Sequence, residues 1–495
     1  MPKIVLATLN AKYVHASFGL RYLLAHMGEL APETKILEFH INQRILDVAE
    51  RILQERPSII GLGIYIWNAA QSLVLVRLLR KLAPDAIIVL GGPEVSYESR
   101  EQEIVELADY VITGEADFAF AELCRTLGGD QRPADKIIRA ALPKAEELNY
   151  PYHLYNSDDI QNRLIYVEAS RGCPFTCEFC LSSLDVPVRQ FPVDTFLAQM
   201  QSLYDRGARS FKFVDRTFNL NIRISKAILQ FFLERYVPGL FVHFEMVPDR
   251  LPDALKEIVK LFPAGCLQFE VGIQSFNPDV GALISRRQDI GKLCENIKFL
   301  RRETNVFIHA DLIAGLPGET IESFGEGFNR LVELGPQEIQ VGILKRLRGT
   351  PIVRHDDTWQ MVYNPNPPYE LLSNKLVSFA TMQRIGRFAR FWELLGNSEL
   401  FRSALPLLWE ESHDPFNEFL SFSDWLYGTA KRRHEIALSK LTSYLSEYLT
   451  VVKHVSQEKV SGSISDSFKC AGRSDLIPLV PRFTQPSVQP KAANQ

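Results

Sequence analysis

The chain has 495 residues, too many for one hydrophobic core, so its length predicts two to four domains. Hydrophobic residues make up 46% and charged residues 23%, the balance of a chain that folds unaided, which excludes a largely disordered or fibrous protein. The net charge is -4 and the basic runs at 344–348 and 430–435 are short and interrupted, so no stripe tracks a phosphate backbone and nucleic acid is not an expected partner.

No apolar run reaches the roughly 18 to 20 residues that span a bilayer. The first nine residues are too short and too soon followed by polar ones for a signal peptide, and read as a first strand. The expectation is a soluble, cytoplasmic protein with no membrane partner. Of seven cysteines, Cys173, Cys177 and Cys180 are clustered while Cys124, Cys266, Cys294 and Cys470 are scattered, which is no disulfide framework and points to metal chemistry in a reducing compartment.

In chain order, residues 1–132 alternate short apolar runs (3–9, 35–39, 58–66, 86–91 and 110–113) with amphipathic helical stretches, the pattern of an α/β domain with a doubly wound, Rossmann-like parallel sheet. Ligands of such sheets bind beyond the carboxyl ends of the strands. Those ends carry Asn10 to Gly19, the pair Gly91 and Gly92, and Gly114 with Glu115. Residues 133–163, where Pro, Asn, Asp and Tyr accumulate, read as a linker. A second alternating series over 164–360, with strands at 165–169, 210–215, 241–246, 267–273, 306–313 and 338–344, suits a partial (βα)6 barrel of the TIM type. Residues 368–452 read as a small helical domain with breaks near Asn397, Pro406 and Pro415, in which Trp392, Trp409 and Trp425 are core residues. Residues 455–495, rich in Ser, Pro and Gln, read as a disordered tail.

Directly after the first strand of the second series, Cys173, Cys177 and Cys180 stand at CxxxCxxC spacing. Thiolates are the soft ligands favoured by iron–sulfur clusters and zinc. Structural zinc takes four closed ligands, and no fourth cysteine or histidine lies near in sequence, so three ligands that leave one iron open are the better reading.

The motif resembles that of the radical S-adenosylmethionine superfamily, CxxxCxφC with an aromatic φ, here Phe179. The resemblance covers roughly 160–360 and implies a 4Fe-4S cluster on the three cysteines, S-adenosylmethionine chelated by the open iron, and an electron donor such as flavodoxin or ferredoxin. It also implies S-adenosylmethionine contacts. Phe179 and Asp215 stand in the cluster loop and after the second strand, Glu245 and Gln274 at the ends of the third and fourth strands, and Asp311 in the fifth.

The preceding α/β domain resembles the cobalamin-binding module of one subgroup of that superfamily, and the helical segment resembles the uncharacterised C-terminal domain that accompanies it. The resemblance implies cobalamin contacts at Asn10, His15, Gly91, Gly92, Gly114 and Glu115. The module's familiar DxHxxG loop is replaced here by the run from Asn10 to Gly19, which leaves His15 as a lower cobalt ligand in altered spacing or as a hydrogen-bonding loop residue. The implied activity is methylation or rearrangement of a small-molecule or peptide substrate. Two alternatives stand beside it. A methylthiotransferase acting on transfer RNA would carry three further N-terminal cysteines, where this chain has only Cys124. A non-catalytic cobalamin or redox sensor would not need the barrel loops that meet S-adenosylmethionine.

Overall fold

The structure is a computed structural model, and it describes residues 3–472 apart from Asp130 and Val186. The chain divides into two compact units. The first comprises residues 1–272, 281–308 and 344–371, and the second residues 273–280, 309–343 and 372 onward.

The first unit begins with a parallel sheet of β1 (Ile4–Asn10), β2 (Thr34–His40), β3 (Ile59–Gly63), β4 (Ile87–Gly91), β5 (Tyr110–Thr113) and β6 (Ile137–Arg139), in the order β2-β1-β3-β4-β5-β6. The central strand β1 is buried along its whole length because helices cover both faces, which is why it reads as an almost continuous apolar run. Alternation divides that run between two cores. Val5, Ala7 and Leu9 pack with Ile60, Leu62, Ile88 and Leu90, whereas Ile4 and Leu6 pack with Ile59, Val89 and Phe120. Strand order reverses between β1 and β3, the switch point beside which doubly wound sheets bind their ligands.

The expected linker is not structureless. Its residues Ile137–Arg139 form β6, pairing in parallel with β5. Further on, Asn156 caps the helix Ser157–Asn162 by accepting a bond from the Asp159 amide. The Asp159 carboxylate is buried against Arg21 at 2.8 Å, and Tyr152 and Tyr155 are fully buried. A charge pair and two aromatics thus fix this segment to the first domain, which the proline and tyrosine content conceals.

Next come β7 (Ile165–Val167), β8 (Ser210–Phe213), β9 (Phe241–Met246) and β10 (Leu267–Gln274), parallel and paired in chain order. In the second unit β11 (Phe307–Ala314) pairs in parallel with β12 (Glu338–Ile343). Six successive strands, with helices from Val193–Asp205 to Ile321–Leu334 between them, are the count of a partial (βα)6 barrel. Strand β10, LQFEVGIQ, alternates strictly: Leu267, Phe269, Val271 and Ile273 are buried, and Gln268, Glu270, Gly272 and Gln274 are partly open. Strand β11 repeats the pattern.

The second unit also holds the helices Phe379–Leu395, Pro415–Ala430, Leu438–Glu447 and Gln457–Cys470. Trp392 packs edge-on against Phe328 and Phe419, a core position as expected. The last helix corrects the expected tail. Val460, Ile464 and Phe468 repeat at helical spacing and are fully buried. Only the part of that tail beyond residue 472 lies outside the described residues. Among the described residues no helix is long and apolar enough to cross a membrane.

Candidate cluster and cofactor site

The three-cysteine loop leaves β7 through Gly172, whose φ of +90° is open to glycine; a Cβ there would lie 2.7 Å from the Asp185 carbonyl oxygen. The Cys173 amide donates to that same carbonyl at 3.0 Å, closing the loop on itself. Cys173 and Cys177 are buried, Cys180 is half-buried, and none forms a disulfide. Burial pushes the Cys173 thiol up, and the nearby Cys180 and Cys177 push it the same way. Among the described residues no three His, Cys, Asp or Glu side chains converge on one point that would hold a single metal ion. A four-iron cube does not ask for that, because each thiolate binds a different iron. The donor set and spacing therefore fit a cluster better than a lone zinc.

The loop's frame comes largely from Glu178. Its buried carboxylate accepts bonds from Ser285 Oγ at 2.5 Å, from His355 Nε2 at 2.9 Å and from Arg354. Its amide donates to Ile284 and its carbonyl accepts from Ile352. Arg286 Nη1 lies 3.3 Å from Cys177 Sγ, placing a positive charge beside one of the three thiols.

A cavity of about 490 Å³ opens beside this loop at the carboxyl edge of the first sheet. Gly61 and Gly63 of β3, Gly91 at the end of β4 with Gly92, and Gly114 with Glu115 after β5 form one wall; Ser170, Arg171, Gly172, Ser182, Asp185 and Arg216 of the barrel form another. Gly92 is obligatory, with φ of +104° and a Cβ position 2.4 Å from the Ile64 carbonyl oxygen. A cradle floored by bare backbone suits close approach of a large flat cofactor, and the volume is in the range of a buried drug-sized group such as a nucleotide arm.

His15 and Asn10 do not line this cavity. His15 Nδ1 is 2.7 Å from Tyr166 Oη, His15 bridges Leu164 beside β7, and the Asn10 side chain donates to the His15 carbonyl and to Glu38. The altered loop thus tethers the first domain to the barrel, with His15 as a hydrogen-bonding loop residue.

Charge gathers where the walls meet. Arg171 reaches Glu115 at 2.7 Å, Asp117 at 3.0 Å and Glu168 at 2.9 Å, and Arg189 also pairs with Glu115. A second clasp runs from Glu94, which accepts from Tyr369 Oη at 2.5 Å and pairs with Arg348 at 3.0 Å, to Glu98, which pairs with Arg346 and Arg348 at 3.2 Å.

The expected S-adenosylmethionine residues have divergent surroundings. Asp215, 3% exposed, accepts from the Ala169 amide at 3.0 Å and from Ser170 Oγ at 2.6 Å, which fixes its carboxylate at the end of β7. Burial pushes its carboxyl up to about 7. Phe179 is half-buried beside the cysteines. Glu245 pairs at 2.7 Å with Arg216, which itself lines the cavity. Gln274, in the second unit, has φ of +72° and a buried Oε1 without a hydrogen-bond partner. Asp311 there faces His309 Nε2 at 3.0 Å, and with Glu338 it pushes that imidazole up to about 10.

The fold brings together further residues. Lys212, His243 and Glu270 form one polar row on the open face of β8 to β10, with Glu270 3.4 Å from Lys212 and 3.0 Å from His243. Their signal was legible as charged residues at alternate positions of otherwise apolar strands. Glu178, Arg286 and the Arg171 clasp depend on partners 50 or more positions away, where local pattern carries no signal.

Comparison with known families matches residues 4–124 to the B12-binding domain, 167–331 to the radical SAM superfamily and 357–484 to a protein family of unknown function, DUF4080. The chain is 26% identical over 322 residues to the 2-(S-pantetheinyl)-carbapenam-3-carboxylate methyltransferase of Streptantibioticus cattleyicolor, covering 57% of this chain and 46% of the relative. It is 25% identical over 341 residues to the cobalamin-dependent radical SAM methyltransferase TokK of Streptomyces tokunonensis, covering 61% and 49%. It therefore spans about half the length of these two relatives. Its fold is similar to that of the cobalamin-dependent S-adenosylmethionine radical enzyme OxsB with aqua-cobalamin bound, at a TM-score of 0.61 and 12% identity over 95% of this chain and 84% of that one. The chain thus carries a B12-binding domain, a radical SAM domain and a DUF4080 domain in series.

Proposed function

We propose that the chain is a cobalamin-dependent radical S-adenosylmethionine enzyme that methylates or rearranges a small-molecule or peptide substrate. What supports this reading is a single cavity with two kinds of wall. Glycines of the B12-binding domain face Ser170, Arg171, Gly172 and Ser182 from either side of the three-cysteine run. Two large cofactors that must react with one substrate need that adjacency.

In this reading Cys173, Cys177 and Cys180 hold the 4Fe-4S cluster, and the backbone around Gly91, Gly92 and Gly114 with Glu115 receives cobalamin. Phe179 and Glu245 meet S-adenosylmethionine; Gln274 and Asp311 stay candidate contacts on strand ends of the second unit. When bound, the cofactors supply reductive carbon–sulfur cleavage and methyl transfer. The chain's own groups bind and shelter. Glu178 holds the cluster loop against Ser285 and His355. Arg171 ties the two cavity walls together through Glu115 and Asp117, which keeps the reacting centre from opening to water. Lys212, His243 and Glu270 offer substrate both charges at fixed positions. The electron arrives from a flavodoxin or ferredoxin in a reducing cytoplasm.

Anaerobic incubation of the reconstituted chain with S-adenosylmethionine and dithionite tests the reading. It predicts 5'-deoxyadenosine, and with an acceptor present S-adenosylhomocysteine as well. Neither product from a chain holding its full cluster would reject it.

A further inference from the structure

A second cavity, of about 470 Å³, lies within the helical part of the second unit and belongs to none of the machinery above. Arg387 of the helix Phe379–Leu395 and Tyr427 of the helix Pro415–Ala430 line it, together with Lys431, Arg432 and Arg433 from the segment that follows the second helix.

Its charge is unbalanced. Among the described residues Lys431, Arg432 and Arg433 form no ion pair, and the cavity's own carboxylate is Glu435. Asp424, beneath the rim, is engaged chiefly by Arg384 at 2.7 Å and reaches Arg387 only at 3.5 Å. Favourable interaction with the helix C-terminus accounts for cations after Ala430. It does not account for Arg387, whose guanidinium lies over the Tyr427 ring at 4.6 Å while its Nε is buried with no hydrogen-bond partner. Stacking holds that planar donor fork in place with capacity to spare. In a chain of net charge -4, four cations around one small concavity answer a compact ligand with several negative charges rather than a long polyanion.

We propose that this cavity binds the diphosphate group of a small ligand, with Arg387 as its oriented donor and Lys431, Arg432 and Arg433 as its charge complement. The proposal does not depend on the radical chemistry assigned to the first unit. The diphosphate could be inorganic or part of an ester, and Tyr427 offers an organic portion a ring to rest on.

Isothermal titration of the full chain with pyrophosphate, and separately with ADP, in 150 mM salt as about physiological ionic strength, provides the test. We expect one saturable site for at least one of them, weakened about tenfold or more in the Lys431→Gln/Arg432→Gln/Arg433→Gln variant. Arg387→Lys, which keeps the charge and removes the fork, should weaken it too. Preference for pyrophosphate would identify an inorganic ligand and preference for ADP an ester. Binding no tighter than that of sulfate, or binding unchanged in the triple variant, would overturn the proposal. The triple variant alters exposed side chains only, so its folding is not in question.

Discussion

Arg171 stands among Glu115, Asp117 and Glu168, and its removal would leave three carboxylates of little exposure facing one another. Breaking a buried pair from one side is far costlier than never having had it. Arg171→Ala is therefore expected to destabilise the first unit by about 3–5 kcal/mol, read as a fall in the denaturant midpoint at unchanged m-value. Asp215 makes a different prediction. Its folded carboxyl stays protonated up to about pH 7, whereas the unfolded one releases its proton near pH 4. The folded state thus binds more protons across that window. The group's stabilising contribution is whole below the unfolded value and is lost as pH rises through 7, on the order of a few kcal/mol. Glu168, also pushed up by burial, adds the same sign. Equilibrium unfolding at pH 5 and pH 8 should show Asp215→Asn losing less stability than the parent over that interval; an identical loss would mean that Asp215 is ionised in the fold.

At the scale of elements, the Gln457–Cys470 helix separates composition from pattern. Its serines and charges suggested a tail, yet Val460, Ile464 and Phe468 form a buried stripe, with Phe468 set edge-on to Phe401 at 6.4 Å. Phe468→Ala should cost about 3–5 kcal/mol, measured by thermal or chemical unfolding, where a disordered tail would give no change. The strands were legible because each keeps its apolar alternation within one short run, as in β1 and β10. The three-thiol loop was legible because Cys173, Cys177 and Cys180 lie within one short run and need no distant partner to declare themselves. The hydrogen bond from the Ala169 amide to Asp215 was not legible, because that amide comes from the end of another strand. The same holds for the partner of His15, Tyr166, which lies in the barrel.

At the scale of the whole molecule, the B12-binding domain and the three-cysteine loop of the barrel line one cavity in one compact unit. Glycines at a switch-point edge, a three-thiol loop and a clasp of buried charge converge there, and each does little alone. The barrel supplies the alternating polar face, the first domain supplies bare backbone, and the loop from Asn10 to Gly19 joins them through the bridge between His15 and Leu164. This arrangement predicts that the two cofactors bind side by side through different residues and can be lost one at a time.

The measurement that bears most directly on that claim is anaerobic reconstitution of the parent chain and of Cys173→Ala with iron, sulfide and hydroxocobalamin, followed by iron analysis and a visible spectrum. The account predicts about four irons and a bound corrinoid in the parent, with the iron lost and the corrinoid retained in Cys173→Ala. A parent that takes up the cluster but no corrinoid, or a variant that keeps its full iron content, would contradict it.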